Sequence, residues 1–471
     1  MQTQDQDMLN IHTPPEPAEH RKGRSRLAYL GAVLVVALII GVSATVFSLW
    51  RVRHGPGTNL SPFGQTAVPP AGQWVQALNG YSVTALEAVQ SNPAVLYACA
   101  VHGPLKAGYA VQYTIMRSSD FGSHWQDVGS QAAINGSCQL AVNPANSNEL
   151  YVVSGPMSAS GSGAISYALK HSTNGGKTWS TLSPTLHSSD IPSGIPWNVQ
   201  QLTFAGNSLF GTQWVPTGTP FPRPGFMPDG SFLMARLVES TDGGHTWAVI
   251  DRYFDATRQG VRSYAVDPTD PRTIYDIVGT GWPIPVDRAQ ENSVPAYGLN
   301  EALYKTTDGG ATWTLLLNNL PFVSTVQLAN SSPNVVYVGG TQGLFPREGQ
   351  QGSVTEQPQA SSYRFGLGNF LLRVSSDGGA HWRIVTKASQ LMTVLNWFVG
   401  TDGQLYTRST VVEGGAKIVR YNPATDTWSD VTPVPTSRTP IAVTPGDAQH
   451  GAVLWLVSSG NELPALYRYV V

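Results

Sequence analysis

Charge is scarce in this 471-residue chain: 12% of the residues are Asp, Glu, Lys or Arg, and the formal balance is −2. A nucleic-acid binder needs a basic stripe to neutralise phosphates, and none is present. The 10 histidines are scattered, with no His-x-x-x-His and no Cys-x-x-Cys, so neither a metal site nor a cofactor is expected. There are 2 cysteines, Cys99 and Cys138. Beyond residue 70 no stretch has the period of a long amphipathic helix. Turn formers are abundant instead: 48 Gly and 34 Pro, the composition of a turn-dense all-β protein.

The first seventy residues differ from the rest. Residues 1–26 are polar and Pro-containing, and read as a disordered cytoplasmic tail ending in Arg21, Lys22, Arg24 and Arg26. Leu27 to Trp50 carries no charge and is long enough to cross a hydrocarbon core as a helix. The basic cluster before it outweighs Arg51 and Arg53 after it, so the N-terminus is expected in the cytoplasm and the rest outside. The run is too long for a cleaved signal peptide and no small-x-small site follows, which favours an uncleaved single-pass anchor in the cell membrane. Residues 51–70 read as a linker, and 71–471 as one large β domain. Outside the membrane an oxidising compartment permits a Cys99–Cys138 disulfide; two buried thiols is the other reading.

An eight-residue unit organises that β domain. It reads Ser240-Thr241-Asp242-Gly243-Gly244-His245-Thr246-Trp247, and its copies centre on Ser118, Asp120, Gly122 and Trp125; Ser172, Asn174, Gly176 and Trp179; Thr306, Asp308, Gly310 and Trp313; and Ser375, Asp377, Gly379 and Trp382. Asn422 to Trp428 is a weaker sixth echo. Each unit ends a strand in a hydroxyl, turns through Asp-Gly or Gly-Gly with positive φ, and opens the next strand with a Trp anchor. The carboxylate and hydroxyl can satisfy the turn's own backbone. The pattern resembles the Asp-box (bacterial neuraminidase) repeat, S-x-D-x-G-x-T-W, of sialidases, sortilin-type receptors, xyloglucanases and the photosystem II assembly propeller. The resemblance covers residues 72–471 at the level of the repeat only. It implies that the boxes are structural and lie away from any active site.

Before each box comes an apolar strand, an Asn/Asp/Pro turn and a β-branched strand with Tyr, as in Leu140 to Val153 and Tyr264 to Tyr275. Four strands per repeat predict a β-propeller with blades at 83–128, 137–182, 199–250, 261–316, 323–385 and 391–431. Residues 439–471 supply three more strands, and Gln73 to Leu78 supplies the missing fourth. Seven blades are expected, with six as the alternative.

In such blades the boxes and the Asn/Asp-Pro turns share one face, while the long insertions 183–198, 214–230, 280–300 and 341–368 fall on the other. That rim offers Trp197, Trp214, Arg223, Trp282, Arg288, Tyr363 and Arg364 as binding residues, suited to a glycan, a peptide or a membrane-protein partner; the alternative is that its aromatics pack the loops themselves. A binding or scaffold module is therefore expected, with a sialidase-like glycoside hydrolase as the alternative. The resemblance would then demand an Arg triad, a Tyr nucleophile with Glu, and an Asp acid/base. No Phe/Tyr-Arg-Ile-Pro motif lies between Pro62 and Arg117, and Phe221-Pro222-Arg223-Pro224 is a superficial echo. Arg262 and Tyr264, with the loop carboxylates Asp287 and Glu291, are the catalytic candidates.

Overall fold

The second strand of each repeat is apolar on both faces, which only a sheet sandwiched between two others can bury. In the computed structural model, residues 71–105, 111–129, 132–155, 167–187, 191, 195, 197–220, 231–254, 259–280, 301–320, 322–329, 332–341, 345–346, 363–364, 370–385, 397–400, 402–409, 416–434, 438–446, 451–458 and 463–471 are described. The expected tail 1–26, membrane helix 27–50 and linker 51–70 lie outside them.

The described residues form a seven-bladed β-propeller. Blade I comprises Tyr81–Val89, Asn92–His102, Gln112–Ser118 and Gln126–Asp127; blade II, Ser137–Val142, Leu150–Gly155, Ala168–Ser172 and Ser180–Leu182. Blade III comprises Gln200–Ala205, Ser208–Pro220, Ser231–Ser240 and Thr246–Val249; blade IV, Gln259–Val266, Ile274–Thr280, Glu301–Thr306 and Thr314–Leu320. Blade V comprises Phe322–Ala329, Ser332–Thr341, Phe370–Ser375 and Arg383–Ile384; blade VI, Trp397–Val399, Leu405–Ser409, Lys417–Asn422 and Thr427–Pro433. Blade VII takes Arg438–Pro445, Ala452–Ser458 and Ala465–Val470 from the C-terminus, and its fourth strand is Trp74–Asn79, antiparallel to Ala465–Val470. The ring thus closes as the sequence predicts, removing two free edges at once. Trp74 fastens the closure: its ring lies 5.0 Å from that of Tyr469, and its Nε1 donates to Pro433 O of blade VI at 3.1 Å.

The core lies between blades. Seven apolar clusters occupy the seven blade–blade interfaces, and successive residues of one strand feed different clusters. Tyr97 and Cys99 face blade II, while Leu96, Ala98 and Ala100 face blade VII. This is the period-2 alternation of a strand with both faces buried. Cys99 and Cys138 form a disulfide that ties blade I to blade II.

Polar ties repeat the pattern. The second-strand tyrosines are buried, and several reach the next blade with their hydroxyls: Tyr97 donates to Ser147 O at 2.7 Å, Tyr275 to Gly378 O at 3.0 Å and Tyr337 to Gly403 O at 2.9 Å. Blade III has Phe210 in this place. First strands are stitched likewise: Gln139 Oε1 accepts from Gln201 N at 2.6 Å, and Gln327 Oε1 from Val399 N at 3.1 Å.

Candidate functional site

The propeller's two faces differ in what the sequence has built on them. On one, the third-to-fourth turn of a blade bonds to the first-to-second turn of the same blade or to the start of its second strand: Gly175 N donates to Asn148 O at 2.8 Å, Gly309 N to Arg272 O at 3.0 Å and, in blade V, Gly378 N to Asn334 O at 2.9 Å. In blade III, Ser240 Oγ donates to Asp242 Oδ1 at 2.9 Å and accepts from Gly244 N at 2.9 Å; Asp242 accepts from Thr246 N at 2.9 Å and from the Thr246 hydroxyl at 2.6 Å. Trp247 Nε1 closes the turn on Gly244 O at 3.0 Å. In blades I and V a histidine replaces the threonine, with Nδ1 facing the carboxylate at 2.5 Å (His124) and 2.6 Å (His381). Blade II diverges: Trp179 Nε1 donates to Val128 O of blade I at 3.1 Å. The glycines are needed: Gly310 has φ +96°, and a Cβ there would sit 2.2 Å from Ile250 O.

These carboxylates serve the turn. Slight desolvation pushes Asp242 up, but the Thr246 hydroxyl and the Thr246, Ser240 and His245 bonds together hold it at about 2. For Asp308 the Thr312 hydroxyl leads, and it too sits at about 2. The echo at Asn422–Trp428 is a different turn. It has no glycine, Asp426 itself takes φ +55°, and its carboxylate accepts from the Tyr421 hydroxyl at 2.7 Å.

The opposite face receives the long connections, between Pro220 and Ser231, Thr280 and Glu301, and Thr341 and Phe370. Of the rim residues, Arg223, Trp282, Arg288, Asp287 and Glu291 lie outside the described residues. Tyr363 and Arg364 form a short antiparallel ladder with Phe345–Pro346, within the connection between the second and third strands of blade V. Trp197 is 8% exposed and packs on Trp247, ring centroids 6.2 Å apart. Trp214 is half-buried against the blade III–IV core; its backbone N–H donates to Asn198 Oδ1 at 2.8 Å. Both tryptophans pack the base of the rim.

Arg262 and Tyr264 stand on the first strand of blade IV; Arg262 is the extra residue of a register shift between Val261 and Ser263, and Tyr264 follows it. They face different neighbours. Tyr264 packs in the blade III–IV core and donates its hydroxyl to Gln201 O; burial, then the charge of Asp276, push its pKa up, so the phenol stays protonated. Arg262 lies over Gly279 and faces Glu301, Nε to Oε1 4.0 Å, while Glu301 Oε2 accepts from Ser324 N of blade V at 2.9 Å. Burial lowers the Arg262 pKa and Glu301 opposes that. Each side chain is thus engaged within the fold, Tyr264 on Gln201 of blade III and Arg262 against Glu301.

Two acidic groups escaped the sequence reading. Asp276, fully buried in blade IV's second strand, has no hydrogen-bond partner among the described residues on either carboxylate oxygen. Across the blade III–IV interface, Arg236 donates to Asp251 Oδ1 at 2.9 Å and to Asp251 O at 2.7 Å, a buried pair. Burial, then the negative charge of Asp251, drive the Asp276 pKa well above its ordinary value, against Arg236. Burial without a compensating partner thus favours the protonated form of Asp276. Glu87, on the innermost strand of blade I, is exposed by area, yet desolvation by the protein around it pushes it up to about 7. Water reaches the carboxylate and tempers that shift. Among the described residues no group of three or more His, Cys, Asp or Glu could hold a metal ion.

No protein-family model matches the chain, and no curated protein matches it. Solved propellers do. A GH74 xyloglucanase from Xanthomonas campestris is 14% identical over 81% of this chain and 63% of its own, at TM-score 0.33, so the chain spans under two thirds of that enzyme. YCF48 from Cyanidioschyzon merolae is 12% identical over 84% of this chain and 98% of its own, at TM-score 0.41. The Hadza microbial sialidase Hz136 is 12% identical over 84% and 68%, at TM-score 0.40. Glycoside hydrolases and a protein not named as an enzyme stand side by side here, and none brings an activity to this chain.

Proposed function

We propose that this chain is a binding or scaffold module: a propeller carried outside the cell membrane on the single-pass anchor at residues 27–50, holding a glycan, a peptide or a membrane-protein partner on the long-connection face. The observation that carries the reading is the asymmetry of the two faces. One is closed by short turns that bond to themselves; the other receives every long connection between described strands of a blade. The internal engagement of Arg262 and Tyr264 favours binding over sialidase-like hydrolysis, which remains the second reading.

The test is hydrolysis by the soluble part, residues 55–471, against a panel of chromogenic glycosides that includes a sialoside. The binding module predicts no turnover from protein that melts cooperatively. Turnover that survives repurification and is lost in Asp287→Asn or Glu291→Gln would replace it with the hydrolase.

A further inference from the structure

Blade III carries a fifth strand. Thr185–Leu186, from the connection after blade II, lies parallel to Thr246–Val249 on its outer side, in register Thr185 with Thr246 and Leu186 with Trp247. Thr185 N donates to His245 O and His187 N to Trp247 O, both at 2.9 Å. The outer edge of this blade therefore accepts an extended segment, and the accepting groups are backbone carbonyls fixed by the box.

Blade IV repeats the box residue for residue, so Ala311 and Trp313 stand where His245 and Trp247 do. Its fourth strand, Thr-Leu-Leu-Leu-Asn-Asn-Leu, carries no charge, and among the described residues no strand pairs with its outer side. Of the other unpaired fourth strands, those of blades I and V are two residues long and charged, that of blade II is three residues long, and that of blade VI carries Asp430 and Pro433; that of blade VII, Trp74–Asn79, is likewise uncharged but carries none of the large exposed hydrophobics among the described residues. Charge, proline and brevity are how natural edges avoid pairing. The ladder beneath the blade IV strand shifts register between Glu301 and Leu303 and again before Tyr304, so the regular part is its beginning, Thr314 and Leu315. Beside that beginning lie two of the four large exposed hydrophobics among the described residues, Leu315 at 49% and Tyr253 at 61%. Tyr253 reaches the edge through Phe254, which packs on Tyr304 (4.8 Å) and Trp313 (5.4 Å).

We propose that the outer edge of blade IV at Ala311–Leu315 is a docking site for an extended, uncharged peptide segment of a partner protein, added parallel to the fourth strand as Thr185–Leu186 is added to blade III. A docked strand of five residues is about 17 Å long, and seating it on this edge buries on the order of 200 Å² a side, far below the roughly 800 Å² that a stable dimer needs. The strip suits one strand of peptide, not a second copy of this chain. Backbone N–H groups of the segment donate to the Ala311 and Trp313 carbonyls, and an apolar side chain lies on Leu315 and Tyr253. The site is separate from the long-connection rim and does not depend on what the rim holds.

The probe is an acetylated, amidated peptide of this chain's own covering segment, Leu-Ser-Pro-Thr-Leu-His, at millimolar concentration against the full chain, read by amide hydrogen exchange. The expected result is a threefold or greater slowing at Trp313 and Leu315. It should be lost when the peptide's Thr and His are N-methylated, and lost in Leu315→Asp, whose melting temperature should stay within a few degrees of the parent. No slowing, or equal slowing by the N-methylated peptide, overturns the proposal. So does protection of the same amides by concentration-dependent self-association without peptide.

Discussion

One box tryptophan should matter far more than the motif alone suggests. Trp247 is 0% exposed, whereas Trp382, at the same position of the motif, is half-buried. The cause is local: the fifth strand of blade III pairs Leu186 with Trp247, and Trp197 closes over it from the base of the rim. Trp247→Ala removes a large ring from a dry, packed site and leaves a cavity, costing about 3–5 kcal/mol. Trp382→Ala removes a ring that water already reaches, and about half that loss is expected. Trp247→Phe keeps most of the apolar area but gives up the Nε1 bond to Gly244 O, a loss of about 1–2 kcal/mol. Because a domain of this size can unfold irreversibly, the comparison belongs in unfolding rates in denaturant, measured side by side. Equal acceleration by Trp247→Ala and Trp382→Ala would refute the reasoning, as would a Phe variant as damaged as the Ala variant.

The Cys99→Ala/Cys138→Ala pair opens a link spanning 39 residues, and the chain-entropy model puts the loss at about 4 kcal/mol; thermal melts of both forms check it. In the box of blade IV, the carboxylate of Asp308 is held at about 2 by the Thr312 and Thr306 hydroxyls, below its unfolded value of about 3.9. Its contribution is therefore present above pH ~4 and lost as pH falls toward 2, so the stability gap between parent and Asp308→Asn should close over that window in acid titration. Asp276 has the opposite sign. Its folded pKa is raised, so it costs stability increasingly as pH climbs above about 4. Asp276→Asn should be more stable than the parent at neutral pH, with the advantage vanishing near pH 4 in denaturant melts.

The blades were legible because each carries two independent signals, a glycine turn that fixes a hairpin and a strand apolar on both faces. The closing strand was legible because a Trp-bearing strand preceded the first blade while the last was one strand short. Side-chain destinations were not. Trp197 and Trp214 read as rim aromatics, but whether an indole faces solvent or folds onto Trp247 depends on a neighbour fifty residues away or on how its loop docks. Arg262 and Tyr264, two apart on one strand, read as a pair; the register shift between Val261 and Ser263 sends them to different interfaces. Asp276 sits unremarkably between Tyr275 and Ile277, and only the packing of blade III on blade IV brings Arg236 and Asp251 near it. The echo at Asn422–Trp428 keeps the Thr-Trp end of the box, but its Asp stands two residues before the Trp instead of five and it lacks the glycines, and without them the chain takes another turn.

The central claim, that the long-connection face holds the partner, is tested most directly by placing a photoreactive residue at Tyr363 on that face or at Lys177 on the box face of the full-length chain in its own membrane. A discrete crosslinked adduct from Tyr363 and none from Lys177 is the predicted result. An adduct from Lys177 alone would contradict it.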